Sequence, residues 1–281
     1  VITDTSTDED TLDLKGWVTI DNRTGTTYEE AGLKLIAGDV NRVRDPWAPV
    51  PPASQSQSWA SNLRVNEIDL FGLGLEHKKE FIQKSFFEYK LYTLNQPSTI
   101  KDRQIKQLGL LKADGIKALR RYVCRSDEGS NLHPDVQLLV KNEKENRLGQ
   151  PLPKGMIMLT AVDEDGDSQF LGRQEIDHTA KDEELKVNMG QAFDCVYGYR
   201  VVKTHRPTPR RMIQTYEFRV RNHKPTAIRV RLIGGLAGHT NWKVTESTDP
   251  FTKHDFKTIH FDFRLGPDSE KTTTYTVDYR W

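Results

Sequence analysis

The sequence carries almost no net charge, because 41 lysines and arginines are balanced by 40 aspartates and glutamates to a formal charge of +1. A dedicated nucleic-acid-binding protein normally has a marked basic excess, so this balance argues against that class. Long apolar runs are lacking as well, and none approaches the roughly 20 residues that a membrane-spanning helix needs. We therefore expect neither a nucleic-acid partner nor a membrane span in this portion of the protein.

Cysteine is scarce, since the chain contains Cys124 and Cys195 and no others. In an exported protein the two could form one structural disulfide, and two buried thiols fit the sequence equally well. The chain begins Val-Ile-Thr-Asp, without an initiator methionine or a signal segment. We interpret this start as a mature or trimmed product.

Amphipathic helices longer than three turns are also lacking, whereas alternating apolar and polar residues recur along the chain. This pattern predicts an all-β fold of two immunoglobulin-like antiparallel sandwich units. Pro207 and Pro209, in a polar setting, indicate a boundary at 204–210, with a larger sandwich over 1–204 and a small one over 205–281. A Pro-, Ser- and Gln-rich stretch predicts a long loop inserted in the larger sandwich over 45–84.

One sequence pattern occurs three times: a strand ends at an asparagine, a polar turn follows, and a second strand returns. The asparagines are Asn22, Asn142 and Asn222, each preceded by apolar residues two and four positions earlier. Asparagine suits turns because it tolerates unusual backbone angles. We interpret the three copies as repeated immunoglobulin-like hairpins.

Several of these segments also carry a family resemblance. Trp-Val-Thr-Ile-Asp-Asn-Arg-Thr-Gly opens it, and Tyr-Thr-Val-Asp-Tyr-Arg-Trp closes it at the end of the chain. With them, the chain resembles the C-terminal domain of mucoidy-inhibitor-type bacterial proteins over segments 17–25, 35–41, 87–94, 102–107, 148–155, 170–172, 176–183 and 275–281. The resemblance implies an exported protein of the periplasm, cell envelope or extracellular space. It implies no catalytic residue, because that domain has no established function.

The densest mixture of acidic and imidazole groups is formed by Asp177, His178, Asp182 and Glu183. Such a group can supply a general base or a pair of metal ligands. The simpler interpretation is structural, with His178 hydrogen-bonded across a turn and Asp182 capping the next strand. No second histidine stands at ligand spacing, and no serine or cysteine nucleophile has an evident partner. The sequence thus favours a protein without catalytic residues or a cofactor, although a glycan-active enzyme built on this group remains the opposing hypothesis.

Asp163, Asp165 and Asp167 alternate, as carboxylates do in calcium-binding loops. The EF-hand pattern fails, because Gly166 is misplaced and the twelfth position is Gln174 rather than glutamate. We predict a charged hairpin tip and no metal site, with a calcium-dependent adhesion module as the alternative.

Arginines alternate with apolar residues on two predicted strands, at Arg219 and Arg221 and again at Arg229 and Arg231. If the two strands pair as a hairpin, all four guanidinium groups share its outer face. The simpler explanation is a solvated sheet face that discourages edge aggregation. The alternative is an anion-facing surface for acidic polysaccharide, a lipid headgroup or another copy's acidic segment.

Trp47 and Trp59 bracket the Pro-rich loop, where they could bind a sugar or a partner, or fold back on their own sandwich. Together these observations predict a non-catalytic structural or binding module. Its expected partners are copies of itself, other envelope proteins or acidic polysaccharide.

Overall fold

The computed structural model describes residues 2–3, 9–37, 81–86, 89–127, 129–163, 165–236 and 241–281. Twenty strands make up nearly all of its regular structure, and the residues described contain no α-helix. The prediction of an all-β protein is thus confirmed. The strands are β1 (Ile2–Thr3), β2 (Glu9–Asn22), β3 (Tyr28–Ala31), β4 (Lys34–Ala37), β5 (Phe81–Phe86), β6 (Tyr89–Leu94), β7 (Ser98–Ile100), β8 (Gln104–Arg125), β9 (Gly129–Leu132), β10 (Asp135–Lys141), β11 (Gly155–Val162), β12 (Ser168–Ile176), β13 (Glu184–Gln191), β14 (Cys195–Thr208), β15 (Arg211–Asn222), β16 (Ile228–Gly235), β17 (Trp242–Ser247), β18 (Thr252–Lys253), β19 (Thr258–Leu265) and β20 (Ser269–Arg280).

The chain divides into two compact units, a larger one of residues 1–14 and 113–281 and a smaller one of residues 15–112. Residues 204–210, where the sequence predicted a boundary, lie inside a hairpin of the larger unit. There β14 pairs with β15 as far as Thr208↔Arg211, with a register shift after His205. Pro207 lies at this shift and Pro209 in the turn, two places where a residue without an amide hydrogen is tolerated. The two prolines therefore mark a hairpin tip.

Two sheets build the larger unit. One has the order β12-β11-β1-β2-β8-β16-β19-β18, with β10 on β8 and β13 on β10, and the other has the order β17-β20-β15-β14-β9. Strands β2 and β8 contribute residues to both units. The core contains fully buried side chains from each sheet, among them Leu232 and Phe261 from the first and Phe218 and Val277 from the second. Alternation along each strand supplies these inward rows.

The smaller unit contains a β3–β7 pair and a three-stranded sheet of order β4-β6-β5. Its core is formed by Phe81, Tyr92, Leu94 and Leu108. The loop was predicted over 45–84. Its residues 45–80 lie outside the described residues, and residues 81–84 belong to β5.

All three asparagines of the repeated pattern are buried, with exposed fractions of 4% for Asn22, 0% for Asn142 and 1% for Asn222. Asn22 and Asn222 bond identically within their own turns. The Nδ2 of each donates to the carbonyl four residues later at 2.9 Å, and the Oδ1 of each accepts from the backbone N–H two residues later. Each amide also reaches a distant loop, at Ile100 and Lys101 for Asn22 and at Gly266 for Asn222.

Asn142 performs the same role in a longer turn. Its Nδ2 donates to the carbonyls of Gln150 and Ala180, each at 2.8 Å, and its Oδ1 accepts from the N–H of Gly149 at 3.0 Å. The asparagine thus satisfies buried backbone groups of two chain segments at once, which favours this residue at a corner.

The corners are not hairpins, and that part of the prediction was wrong. Strand β15 lies in one sheet of the larger unit and β16 in the other. Strand β10 pairs with β8 and β13, whereas β11 pairs with β1 and β12. After Asn22, β3 pairs with β7, and β4 pairs with β6. In the described pairings, the strands on either side of each asparagine are therefore not hydrogen-bonded to one another.

Candidate functional site

The acidic and imidazole group lies in the loop between β12 and β13, and its backbone is held by Asn142. The N–H of Asn142 donates to the carbonyl of Glu183, and the N–H of Asp182 donates to the carbonyl of Asn142, both at 2.9 Å. The Nδ1 of His178 accepts from the N–H of Lys154 at 3.0 Å. His178 is thus engaged across a turn, as the simpler interpretation expects.

All four residues of this group are exposed. The carboxylate of Asp177 is 94% exposed, and that of Asp182 pairs with Lys181 at 3.2 Å. Within the described ranges, no three His, Cys, Asp or Glu side chains are placed to hold a metal ion. The arrangement is that of a charged, well-anchored loop.

Asp163 caps the hairpin between β11 and β12. Its Oδ1 accepts from the N–H groups of Asp165 and Asp167, and its Oδ2 accepts from the side-chain amide of Gln169 at 2.8 Å. These hydrogen bonds, that of Gln169 foremost, lower the pKa of the Asp163 carboxyl. Both oxygens of Asp163 therefore accept hydrogen bonds from its own hairpin.

The four arginines do not share a face. Arg219 and Arg221 lie on β15 and Arg229 and Arg231 on β16, and these strands belong to different sheets. Arg219 pairs with Glu270 at 2.8 Å, and Arg231 makes a two-pronged pair with Asp262 at 2.7 and 2.8 Å. The predicted common hairpin face was wrong because alternation identifies the side of a strand but not its neighbour.

Cys124 and Cys195 are buried free thiols, so the structure has two thiols here rather than a disulfide. The Sγ of Cys195 is 3.5 Å from the Oδ1 of Asn222. Burial raises the pKa of Cys195 to about 11 and that of Cys124 further still. Neither thiol is a ready nucleophile at neutral pH. Trp47 and Trp59 lie outside the described residues.

One surface that the sequence did not single out is the outer face of the β11–β12 hairpin. Met158, Phe170 and Met156 are 62%, 60% and 54% exposed. The register places Met156 opposite Glu175 and Met158 opposite Arg173. Phe170 lies opposite Thr160, the next residue of β11 on that face. The side chains of Met156, Met158, Phe170, Arg173 and Glu175 are called the hairpin face below. The signal was present as alternating methionines in a predicted strand, but alternation does not show which side is covered.

No helix in the part of the chain that the structure describes is long and apolar enough to cross a membrane. Comparisons of the chain with protein-family models, curated proteins and solved structures gave no match. Inferences on function therefore rest on the chain's own residues.

Proposed function

We propose that the chain is a non-catalytic interaction module, built from immunoglobulin-like β-sandwich units, in an exported bacterial protein similar to the mucoidy-inhibitor type. We propose further that it self-associates, with the hairpin face as the contact between two copies. The observation that carries this proposal is the joint exposure of Met156, Met158 and Phe170 on one face. Contiguous exposed apolar side chains rimmed by polar ones are typical of protein-binding surfaces.

The composition of the hairpin face suits a protein partner. Methionine adapts its shape to the surface that it meets, and phenylalanine is a frequent anchor in interface centres. The charged residues Arg173 and Glu175 lie across the strand pair from the methionines, where they form a polar rim. A strand face with this arrangement can exclude water at its centre and select its partner by charge.

A second copy of the chain is the occupant that the charges favour. Arg173 and Glu175 stand two positions apart on β12, so they point to the same side. A two-fold axis between two copies can set Arg173 of each against Glu175 of the other. Glu175 is already 3.2 Å from Lys154, but its side chain is still 62% exposed and available to a second cation.

A charge-reversal experiment tests the self-association. Arg173→Glu and Glu175→Arg should each weaken it by about tenfold, because each sets like charges against one another across the axis. The double variant restores opposite charges and should associate close to the wild type. Analytical ultracentrifugation measures all four proteins, with Arg210→Glu at the β14–β15 turn as a matched control.

Each outcome has one meaning. Restoration in the double variant supports a two-fold contact through this face. A double variant that associates no better than the single ones removes the pairing of Arg173 with Glu175 and with it the proposed contact.

A further inference from the structure

A cavity of about 470 Å³, open to solvent, lies between the two sheets of the larger unit, at the end where β16 stops and β19 starts. Strands β14 and β15 continue beyond this level to their turn at 209–210. The difference in strand length accounts for the opening.

The cavity is much larger than the space that a single water molecule takes. One water molecule takes about 30 Å³ of the liquid, so the volume corresponds to roughly 15 waters. Pockets for small organic ligands start at about 300 Å³. The cavity is therefore large enough for a compact organic molecule.

The walls of the cavity are largely apolar. Val201 and Leu236 supply aliphatic groups, and Tyr199 and Tyr216 supply two nearly parallel rings with an interplanar angle of 9° and centroids 5.9 Å apart. The Tyr216 hydroxyl donates to the Oε1 of Gln214 at 2.8 Å and so is held in place. Such walls suit an aliphatic or aromatic body better than a sugar, which requires hydrogen bonds all round.

Two polar groups on the rim point to the charge of the ligand. Ser126 accepts a hydrogen bond from the N–H of Gly235 at 2.8 Å, which leaves its hydroxyl proton to donate. The ammonium group of Lys257 lies 5.1 Å from the ring centroid of Phe256. Among the described residues, no carboxylate pairs with that ammonium group. A cation and a hydroxyl donor beside an apolar cavity form a set that recognises a carboxylate.

We propose that this cavity binds a small carboxylate with an aliphatic or aromatic body. The body lies against Val201, Leu236 and the tyrosine rings, and the carboxylate meets Lys257 and Ser126 at the rim. This site shares no residue with the hairpin face, so the test of ligand binding is independent of the test of self-association.

The test is a titration of the whole chain with acetate, hexanoate and phenylacetate, followed through the methyl resonances of Val201 and Leu236 by NMR. Phenylacetate and hexanoate should shift these resonances at concentrations at which acetate does not, because acetate has almost no body to bury. Phenylacetamide, with the same shape and no charge, should bind about tenfold more weakly than phenylacetate.

Substitutions separate the two parts of the site. Lys257→Met should abolish the preference for phenylacetate over the amide, whereas Lys253→Met, at a neighbouring lysine that contacts Trp242, should keep it. Val201→Trp should fill the cavity and weaken both ligands, and thermal melting checks that each variant is folded. The proposal is overturned if no carboxylate shifts the two methyl groups, or if Lys257→Met leaves the preference intact.

Discussion

At the scale of single residues, the corner asparagines each offer a donor and an acceptor from one short side chain. Asn222 uses both, since its amide donates to Thr226 and Gly266 while its carbonyl accepts from the N–H of Lys224. Aspartate lacks the donor and alanine lacks both groups, so either one leaves buried carbonyls unsatisfied. The three positions could be recognised from the sequence because this requirement restricts the residue type.

Asn222→Ala should lower the free energy of unfolding by about 3 kcal/mol, because several buried backbone groups lose their partner. Asn222→Asp should cost at least as much, since it sets a carboxylate against carbonyl oxygens. Urea denaturation measures both, with the exposed Asn241→Ala as the control. A loss for Asn222→Ala as small as that of the control would contradict a role for this side chain at the corner.

Gly234 is required by a close contact rather than by a turn. A Cβ at this position would lie 2.7 Å from the Tyr275 hydroxyl and 3.1 Å from the Cγ1 of Ile259. Gly234→Ala should therefore destabilise the chain by about 1–3 kcal/mol through overpacking.

Tyr275→Phe removes the hydroxyl that causes the closest contact. The double variant should therefore recover part of the loss of Gly234→Ala, and a double-mutant cycle from urea denaturation gives the coupling. Strictly additive effects would contradict the assigned clash.

His260 gives the larger unit a dependence on pH. Its ring stacks on His254 with centroids 4.3 Å apart. Burial, then the positive charges of Arg231 and His254, lower the pKa of His260 below its ordinary value of 6.5, although Asp262 and Asp255 act in the opposite direction. The unfolded chain therefore binds this proton more readily than the folded chain.

The stabilisation from neutral His260 should be fully present above about pH 6.5 and lost as the pH falls below it. His260→Phe should flatten this part of the stability profile, whereas the exposed His205→Asn should not. Urea midpoints across the acidic range measure the effect. An unchanged slope in His260→Phe would assign the pH dependence to other groups.

At the scale of the strands, β12 is one end of the larger sheet, β13 is the end of its branch through β10, and the side chain of Gln174 joins the two. The Oε1 of Gln174 accepts from the N–H of Asn188 at 3.0 Å, and its Nε2 faces the carbonyl of Lys186 at 3.4 Å. These two backbone groups are the ones that a neighbouring strand would bind. Gln174 therefore substitutes for a ladder partner at this edge.

Gln174→Ala should speed hydrogen exchange at the Asn188 amide and leave the overall melting temperature nearly unchanged, because the contact is exposed. Gln169→Ala is the control, since its amide binds Asp163 instead. Equal protection of Asn188 in Gln174→Ala and in the wild type would show that the side chain does not cover this edge.

The positions of the strands could be predicted from the sequence far better than their pairing partners. Alternation placed Phe218 and Val220 on the inner side of a strand, and the structure buries both. The same alternation is compatible with a return in the same sheet or in the opposite one, and polar turn residues serve either path. The predictions of a shared arginine face and of hairpins at the asparagine corners were both wrong because of this ambiguity.

At the scale of the whole molecule, the division into units depends on contacts between distant parts of the chain. Residues 1–14 belong with 113–281, and a reading in chain order does not join such separated segments. Proline content pointed to 204–210 because the same residues favour linkers and hairpin tips. The candidate site was limited in the same way: the sequence contained Met156, Met158 and Phe170, and only the pairing of β11 with β12 put them on one exposed face.

Sedimentation velocity of the wild-type chain over a wide range of concentration tests the central proposal most directly. We predict a reversible monomer–dimer equilibrium that Met158→Glu with Phe170→Glu shifts to monomer, because charged groups replace the centre of the contact. Val202→Glu, at a comparably exposed apolar residue on β14, should associate like the wild type. A wild-type chain that stays monomeric at every concentration, or a Met158 and Phe170 variant that still dimerises, would contradict self-association through the hairpin face.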